Sequence, residues 1–256
     1  MFIDTHTHLY SSQFKEDRTE TIQKAINSGV TMMVLPSIDS SYYDSMTELE
    51  QQFPDNIRLM MGLHPCDVKP ENYQVELAFV KEKLSQRSFA AVGEIGIDLY
   101  WDKSTLKIQQ EAFNQQIEWA KERNMSINIH CREAFEEVLE ILEAQKDIQL
   151  KGIFHCFSGD ITHARRAIDC GMLLGIGGVV TFKNGKIDQF LHEIDLQYIV
   201  LETDAPYLAP VPYRGKRNES SYIPIIADKL ATIYQKNIKE IAAITTENAR
   251  RILDLD

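Results

Sequence analysis

The chain begins with the stretch MFIDTHTH, residues 1–8, in which an apolar start is followed by a His-x-His pair. Side chains at positions i and i+2 of a β-strand point the same way, so His6 and His8 can bind one ion if Phe2–His6 forms a strand. A solvated histidine pair is the ordinary alternative. The pair alone does not establish a metal site, and the rest of the chain decides the matter.

Short apolar runs recur along the chain and predict the strands of a parallel sheet. Most are nearly continuous in Val, Ile, Leu, Met or Ala, which is typical of strands covered on both faces. The predicted strands are Phe2–His6, Thr31–Pro36, Arg58–His64, Phe89–Glu94, Ser126–His130, Gly152–His155, Met172–Gly177 and Tyr198–Asp204.

Segments of helical period separate most of these runs. Strands that alternate with helices predict right-handed crossovers, and eight such units closing on themselves predict a (β/α)8 TIM barrel with C-terminal helices. An open doubly wound sheet is the alternative, but no Gly-x-Gly-x-x-Gly follows the first strand. No linker interrupts residues 1–256, which favours a single domain. The predicted helices are Glu20–Asn27, Ser104–Arg123, Glu133–Gln145, Thr162–Cys170, Ile223–Tyr234 and Ile238–Leu253.

Charge and cysteine content limit the partners and the compartment. A net charge of −11 argues against wrapping a long stretch of nucleic acid, because such binding needs an extended basic face. It is compatible with holding one strand end, where metal ions and a few local cations suffice. The sequence has neither a Cys-x-x-Cys pair nor an apolar run long enough for a membrane span, which favours a cytoplasmic protein with reduced thiols and no membrane partner.

Ionisable residues stand at the ends of most predicted strands. A buried strand should not end in such a residue unless the residue is paired or coordinated. Each has a structural alternative: Glu94 or Asp204 can cap a loop, and His130 or His155 can be a satisfied core histidine. In a barrel, however, the strand ends gather on the rim that carries active sites, so one shared site explains them together. The set is His6, His8, His64, Glu94, His130, His155 and Asp204.

The donor types restrict the ion. Imidazoles and carboxylates without thiolates suit Zn²⁺, Mn²⁺, Fe²⁺, Co²⁺ or Ni²⁺ better than Ca²⁺ or a structural zinc, and Mg²⁺ stays among the candidates. The ligands exceed what one catalytic ion with open positions needs. We therefore expect two divalent metal ions that share a bridging carboxylate.

With these residues in place, the sequence closely resembles the TatD family of metal-dependent deoxyribonucleases, in the wider amidohydrolase superfamily, nearly from end to end. The resemblance implies that His6, His8 and Asp204 hold one metal, that His130 and His155 hold the second, and that Glu94 bridges them. Two positions depart from the family pattern, Cys66 and Ser220, and we expect them to affect substrate choice rather than metal binding. The matching motifs are Phe2–His8, Gly62–Pro65, Gly93–Asp98 with Trp101-Asp102, Gln109–Phe113, His130–Ala134, His155–Gly159, Glu202–Pro206 and Arg214–Glu219.

The resemblance implies removal of nucleotides from DNA 3′ ends, with single strands or strand ends as the bound partner. Asp204 is the candidate general base and Glu94 the bridging catalytic carboxylate. His64 is the candidate substrate contact or proton shuttle, and Arg132 and Arg217 are candidate phosphate contacts, although a solvated loop also explains Arg217.

Two other functions stay open at this stage. The same metals can hydrolyse another ester or an amide, such as an aminoacyl–tRNA ester, because the activation of water is shared chemistry. A non-catalytic binding barrel is less favoured, because all the ligands are present. Oligomeric state does not follow from the sequence.

Overall fold

The strands form at the apolar runs. The computed structural model describes residues 1–255, and in them every predicted strand is present. The strands differ from the predictions mainly at their ends, where several stop before the polar residue. Their bounds are β1 Phe2–Asp4, β2 Val30–Leu35, β3 Ile57–Leu59, β4 Ala91–Asp98, β5 Ser126–Arg132, β6 Gly152–Phe154, β7 Met172–Ile176 and β8 Ile199–Leu201.

Neighbouring strands in the sequence are parallel neighbours in space, in the orders β1-β2-β3 and β4-β5-β6-β7-β8. Backbone hydrogen bonds join the two groups at both junctions. Between β3 and β4, the Met61 amide donates to the carbonyl of Ala91 over 3.1 Å. Between β1 and β8, the Thr5 amide donates to Leu201 over 3.0 Å. The strands therefore follow one another around a TIM barrel, as predicted; that the chain is a single domain stays a prediction.

Helices cover the outside of the strands. The six predicted helices are present, with ends shifted by at most a few residues, and α2 and α3 were not predicted. The connection from β7 to β8 contains short 3-10 turns instead of an α-helix. The helices are α1 Arg18–Asn27, α2 Tyr43–Gln52, α3 Tyr73–Gln86, α4 Leu106–Glu122, α5 Phe135–Ala144, α6 Ile161–Asp169, α7 Ile223–Tyr234 and α8 Ile238–Leu253.

The barrel interior changes from apolar to polar along the strands. Ile153 and Val200 pack in one buried cluster with Ala249 and Leu253 of α8, which closes that end of the barrel. Because alternate residues of a strand share a face, the next inward positions are His155 after Ile153 and Glu202 after Val200. Polar side chains thus collect at the carboxyl ends of the strands.

Two predictions drawn from composition can be compared with the described residues. No helix within residues 1–255 combines the length and apolarity needed to cross a bilayer. No disulfide joins Cys66, Cys131, Cys156 or Cys170.

Candidate metal centre

Glu94 lies at the centre of the predicted ligands, and its two carboxylate oxygens face different partners. Oε2 lies 3.2 Å from Nε2 of His6 and 3.8 Å from Nε2 of His8. Oε1 lies 2.8 Å from Nδ1 of His130 and 3.3 Å from Nε2 of His155. One carboxylate therefore has one oxygen in each of two ligand groups.

Asp204 completes the group on the Oε2 side. Its Oδ1 lies 3.3 Å from Nε2 of His8 and 3.7 Å from Nε2 of His6. We call His6, His8 and Asp204 the first set, and His130 and His155 the second set. His155 also lies close enough to His6 and Asp204 to share an ion with them. Its contact with Oε1 of Glu94 is the reason to place it in the second set.

A β-bulge aims Glu94 into this space. Gly93 and Ile95 of β4 pair with Asn128 and Ile129 of β5, so Glu94 is an extra residue without a partner in the ladder. A bulge of this kind bends the strand and redirects a side chain. Glu94 is buried as a result and can reach both sets.

In the first set, the outer ring nitrogens are hydrogen-bonded to acceptors. His6 donates from Nδ1 to Oδ1 of Asn128 over 2.8 Å. His8 contacts the Tyr10 hydroxyl through Nδ1 over 2.7 Å, and that hydroxyl donates its proton to the carbonyl of Pro36. The proton between His8 and Tyr10 must therefore come from His8. In the tautomers that these hydrogen bonds select, both rings direct the Nε2 lone pair toward Glu94.

In the second set, carboxylates perform the same task. His130 donates from Nε2 to Oδ2 of Asp98 over 2.9 Å, and His155 donates from Nδ1 to Oε1 of Glu202 over 3.1 Å. In their neutral tautomers the inward nitrogens, Nδ1 of His130 and Nε2 of His155, therefore keep the lone pair that a metal needs. Burial opposes a charge on either ring, but Asp98 and Glu94 raise the pKa of His130 and Glu202 and Glu94 raise that of His155, which favours a proton on these nitrogens until a cation displaces it. Such outer partners fix the tautomer and orientation of metal-binding histidines in other proteins.

These donors fit divalent cations. The Nε2 atoms of His6 and His8 face each other across 3.2 Å, and in these tautomers neither carries a proton. Within residues 1–255, Oε2 of Glu94 is buried and receives no hydrogen bond. A cation satisfies both kinds of atom, because lone pairs that converge without a proton need a positive charge between them. The arrangement supports a metal-binding site, while the number and identity of the ions stay predictions.

The carboxylates of the centre are ionised. Burial alone would raise the pKa of Glu94, but the surrounding histidines together outweigh it and hold the pKa well below its usual value. Burial likewise opposes ionisation of Asp204, and the neighbouring histidines lower its pKa. Both carboxylates are therefore already ionised at neutral pH and can bind a cation without first losing a proton.

His64 differs from the other histidines of the cluster. Its Nε2 lies 3.4 Å from Oε1 of Glu94 and 3.3 Å from Nδ1 of His130, close enough for a metal ligand. Its Nδ1, however, accepts a hydrogen bond from the Cys66 amide over 3.1 Å, so the proton of the neutral ring is on Nε2. Burial lowers the pKa of His64, which favours this neutral form. His64 thus presents an N–H rather than a lone pair, and we interpret it as a donor.

The two predicted phosphate contacts have different surroundings. Arg132 is exposed at the end of β5, with its guanidinium 3.7 Å from the centre of the Tyr100 ring. Arg217 donates to both oxygens of Asp17 and to the Gln13 carbonyl. The structure does not bring Arg217 into the ligand cluster, and both of its terminal nitrogens already have acceptors. A substrate contact by either arginine stays a prediction.

The outer partners of the histidines were missed in the sequence. Each lies two or four residues from a ligand in the sequence, and this spacing is the signal that could have revealed them. They are Tyr10 after His8, Asp98 after Glu94, Asn128 before His130 and Glu202 before Asp204.

Glu202 also explains one glycine. A Cβ atom on Gly175 would lie 2.1 Å from Oε2 of Glu202, so any larger residue would displace this carboxylate. The glycine in β7 therefore makes room for the group that orients His155.

Comparisons with known proteins agree with this picture. A family model described as TatD related DNase matches residues 3–254. An uncharacterized metal-dependent hydrolase, YabD of Bacillus subtilis, is 38% identical, and the match covers 100% of both chains. A protein of Salmonella typhimurium named 3′-5′ ssDNA/RNA exonuclease TatD is 31% identical, with 98% of each chain covered.

Solved structures show the same architecture. The crystal structure of YJJV, a TatD homolog from Escherichia coli, superimposes with a TM-score of 0.93 at 26% identity, covering 100% of this chain and 98% of the other. A lactonase from Listeria monocytogenes has a TM-score of 0.68 at 13% identity, covering 98% of this chain and 94% of the other, and it shares the fold alone.

Proposed function

The chain belongs to the TatD family of metal-dependent hydrolases, and from that premise we propose that it hydrolyses phosphodiester bonds of DNA, removing nucleotides from 3′ ends of single strands. The observation that carries the proposal is the position of Glu94, with one oxygen toward the first set and the other toward the second. Two-ion sites bridged in this way are suited to displacement at phosphorus, where both the attacking and the leaving oxygen must be stabilised.

When bound, divalent ions at this centre acidify a water molecule and offset negative charge on phosphate oxygens. Asp204 is the group of the first set that accepts the proton of the attacking water, because its carboxylate is ionised and its side chain is 15% exposed, at the open side of the centre. His6, by contrast, is fully buried and can only serve as a ligand.

His64 and Arg132 act on the substrate. The Nε2 proton of His64 faces the interior of the centre, where it can be donated to a phosphate oxygen or to the leaving oxygen. Arg132 has no carboxylate within ion-pair distance among residues 1–255, so its guanidinium keeps its donors for a phosphate. These two residues give the site a preference for an anionic ester.

The restriction to DNA strand ends has two supports. The net charge of −11 disfavours a long nucleic-acid footprint, whereas a short end needs only the centre and a few cations. The Salmonella typhimurium relative, whose name states 3′-5′ action on single-stranded DNA and RNA, matches over nearly the whole chain. We assign the same direction of degradation to this protein.

The test is hydrolysis of a single-stranded DNA labelled at its 5′ end, with either a free or a blocked 3′ hydroxyl, in Mn²⁺ or Zn²⁺. We expect a ladder that shortens from the 3′ end, that is slowed by the block and that is abolished by chelator and restored by metal. A Glu94→Gln variant should be inactive under all these conditions. Metal-dependent hydrolysis of an aminoacyl ester, with no cleavage of DNA, would overturn the proposal.

A further inference from the structure

Two aromatic side chains stand exposed in the loop that follows β4. Tyr100 is 49% exposed and Trp101 is 71% exposed, and their rings meet edge to face with centres 4.8 Å apart. Phe157, another aromatic residue near this rim, is only 2% exposed. Large apolar surface left in water at the mouth of a site indicates a contact with a ligand, because solvent exposure of an indole gains nothing for the folded state.

Arg132 joins this pair of rings. Its guanidinium lies 3.7 Å from the centre of the Tyr100 ring and 5.6 Å from that of Trp101. Stacking of this kind fixes the plane of the guanidinium and leaves its edge free to bind a phosphate in bidentate fashion. We call Tyr100, Trp101 and Arg132 the aromatic platform.

Asp98 connects the platform to the metal centre. Its Oδ1 accepts hydrogen bonds from the amides of Tyr100, over 2.9 Å, and Trp101, over 3.3 Å. Its Oδ2 accepts from Nε2 of His130, a ligand of the second set, over 2.9 Å. One carboxylate thus holds both the loop and a candidate ligand, so the platform lies at a set position beside the metal centre.

We propose that the aromatic platform binds one nucleotide next to the cleaved phosphodiester, with Trp101 stacked on its base and Arg132 on its phosphate. This rests on the proposed function, and it narrows the substrate to nucleic acid whose bases are free to leave the helical stack. Stacking on a tryptophan tolerates every base, because each base has a π face. A paired base inside a duplex is already stacked, so the platform selects single strands and frayed ends.

The platform explains selectivity without a basic surface. A groove that follows the phosphate backbone needs many cations, and the chain has an excess of acidic residues, 38 Asp and Glu against 27 Lys and Arg. Stacking energy does not depend on net charge. We therefore expect weak dependence of platform binding on ionic strength compared with a backbone-tracking groove.

The first experiment measures, through kcat/KM, whether Trp101 contributes to hydrolysis by contacting a base of the substrate. Wild-type protein and Trp101→Ala are compared on single-stranded DNA in which the terminal or the next nucleotide is either intact or abasic. We expect Trp101→Ala to lower kcat/KM about tenfold on intact DNA. On DNA that is abasic at the contacted nucleotide, the two proteins should be equal.

A matched control is Val75→Ala on α3. Val75 is also 71% exposed and apolar, and α3 lies in the outer helical layer. This variant should leave hydrolysis of both DNAs unchanged. An equal loss for Trp101→Ala on intact and abasic DNA would overturn the proposal, because the side chain would then support the loop and not a base.

The second experiment reads binding without hydrolysis. The chain has two tryptophans, and the other one, Trp119, is only 4% exposed, so quenching by acrylamide reports mainly on Trp101. A single-stranded oligonucleotide with cleavage-resistant phosphorothioate linkages should protect Trp101 from acrylamide, and the same DNA as a blunt duplex should protect it much less. Equal protection by both, or by neither, would refute the platform.

The two experiments separate the two proposals. If the wild-type protein degrades single-stranded DNA but Trp101 shows no dependence on the base, the platform is wrong and the nuclease function stands. If the wild-type protein degrades no DNA, the nuclease function is wrong. Protection of Trp101 by single-stranded DNA alone would in that case still support a nucleic-acid-binding platform, and its absence would reject it.

Discussion

Replacing Glu202 by glutamine should weaken the second metal set without changing its shape. Glu202 is fully buried, and its Oε1 accepts hydrogen bonds from Nδ1 of His155 and from the amide of Cys156. A glutamine in the same rotamer keeps a carbonyl oxygen for both donors. Its amide nitrogen takes the place of Oε2, which has no hydrogen-bond partner within residues 1–255. The substitution therefore removes a charge and leaves the geometry of His155.

The expected size follows from the change in hydrogen-bond type. A hydrogen bond to a charged group contributes about 1.5–3 kcal/mol and a neutral one about 0.5–1.5 kcal/mol, so the imidazole loses roughly 1–1.5 kcal/mol of polarisation and support. That difference corresponds to a metal affinity that is lower by roughly five- to tenfold. Glu202→Ala also leaves two buried N–H groups without an acceptor. We expect this variant to lower the metal affinity by about 10–100-fold.

The assay is a titration of metal-free protein with Zn²⁺ in competition with a chelating dye, which resolves two binding steps. Asn128→Ala is the reciprocal control, because Asn128 orients His6 of the first set. Glu202→Gln should lower the Zn²⁺ affinity of one binding step, and Asn128→Ala that of the other. The melting temperature of Glu202→Gln should be close to that of the wild-type protein. If both variants shifted the same step, or if Glu202→Gln shifted neither, the assignment of His155 and its outer carboxylate would be refuted.

Four further substitutions test the remaining roles. Asp204→Asn should lower kcat by about 100-fold or more and change DNA affinity much less, since the proton acceptor is lost; equal losses would contradict the role of general base. His64→Ala should lower kcat by a similar factor, about 100-fold, while metal analysis shows both ions retained; loss of one ion would make His64 a ligand. Arg217→Gln and Asp17→Asn should each lower stability by less than about 1 kcal/mol and leave KM unchanged, because the pair is partly exposed to solvent, which screens it. Arg217 lowers the pKa of Asp17, so this contribution is present above the usual carboxyl pKa and is lost as the pH falls below about 4. A higher KM for Arg217→Gln alone would instead support its predicted contact with substrate.

The barrel and the grouping of the ligands could be predicted because both depend on local periodicity. Runs such as Met172–Ile176 identify buried strands, and parallel strands place their carboxyl ends on one rim. The ligands therefore meet in space although His8 and Asp204 are far apart in the sequence. Helix α2 was missed because its apolar stripe is short: it buries only Met46 and Leu49 as its apolar residues. Helix α3 buries Leu77, Val80 and Leu84 at helical spacing, a signal that could have revealed it.

The sequence by itself determined the strand order of the barrel and the identity of the candidate ligands, since alternation along a strand and position at its end are properties of neighbouring residues. Only the tertiary structure decided what each ring nitrogen does. The tautomers depend on contacts between distant segments, such as Asp98 with His130, 32 residues away, and Glu202 with His155, 47 residues away. A hydrogen bond exists only where donor and acceptor meet in three dimensions, and for this reason His64, which in the sequence resembles the other strand-end histidines, is distinguished from them by one amide proton from Cys66.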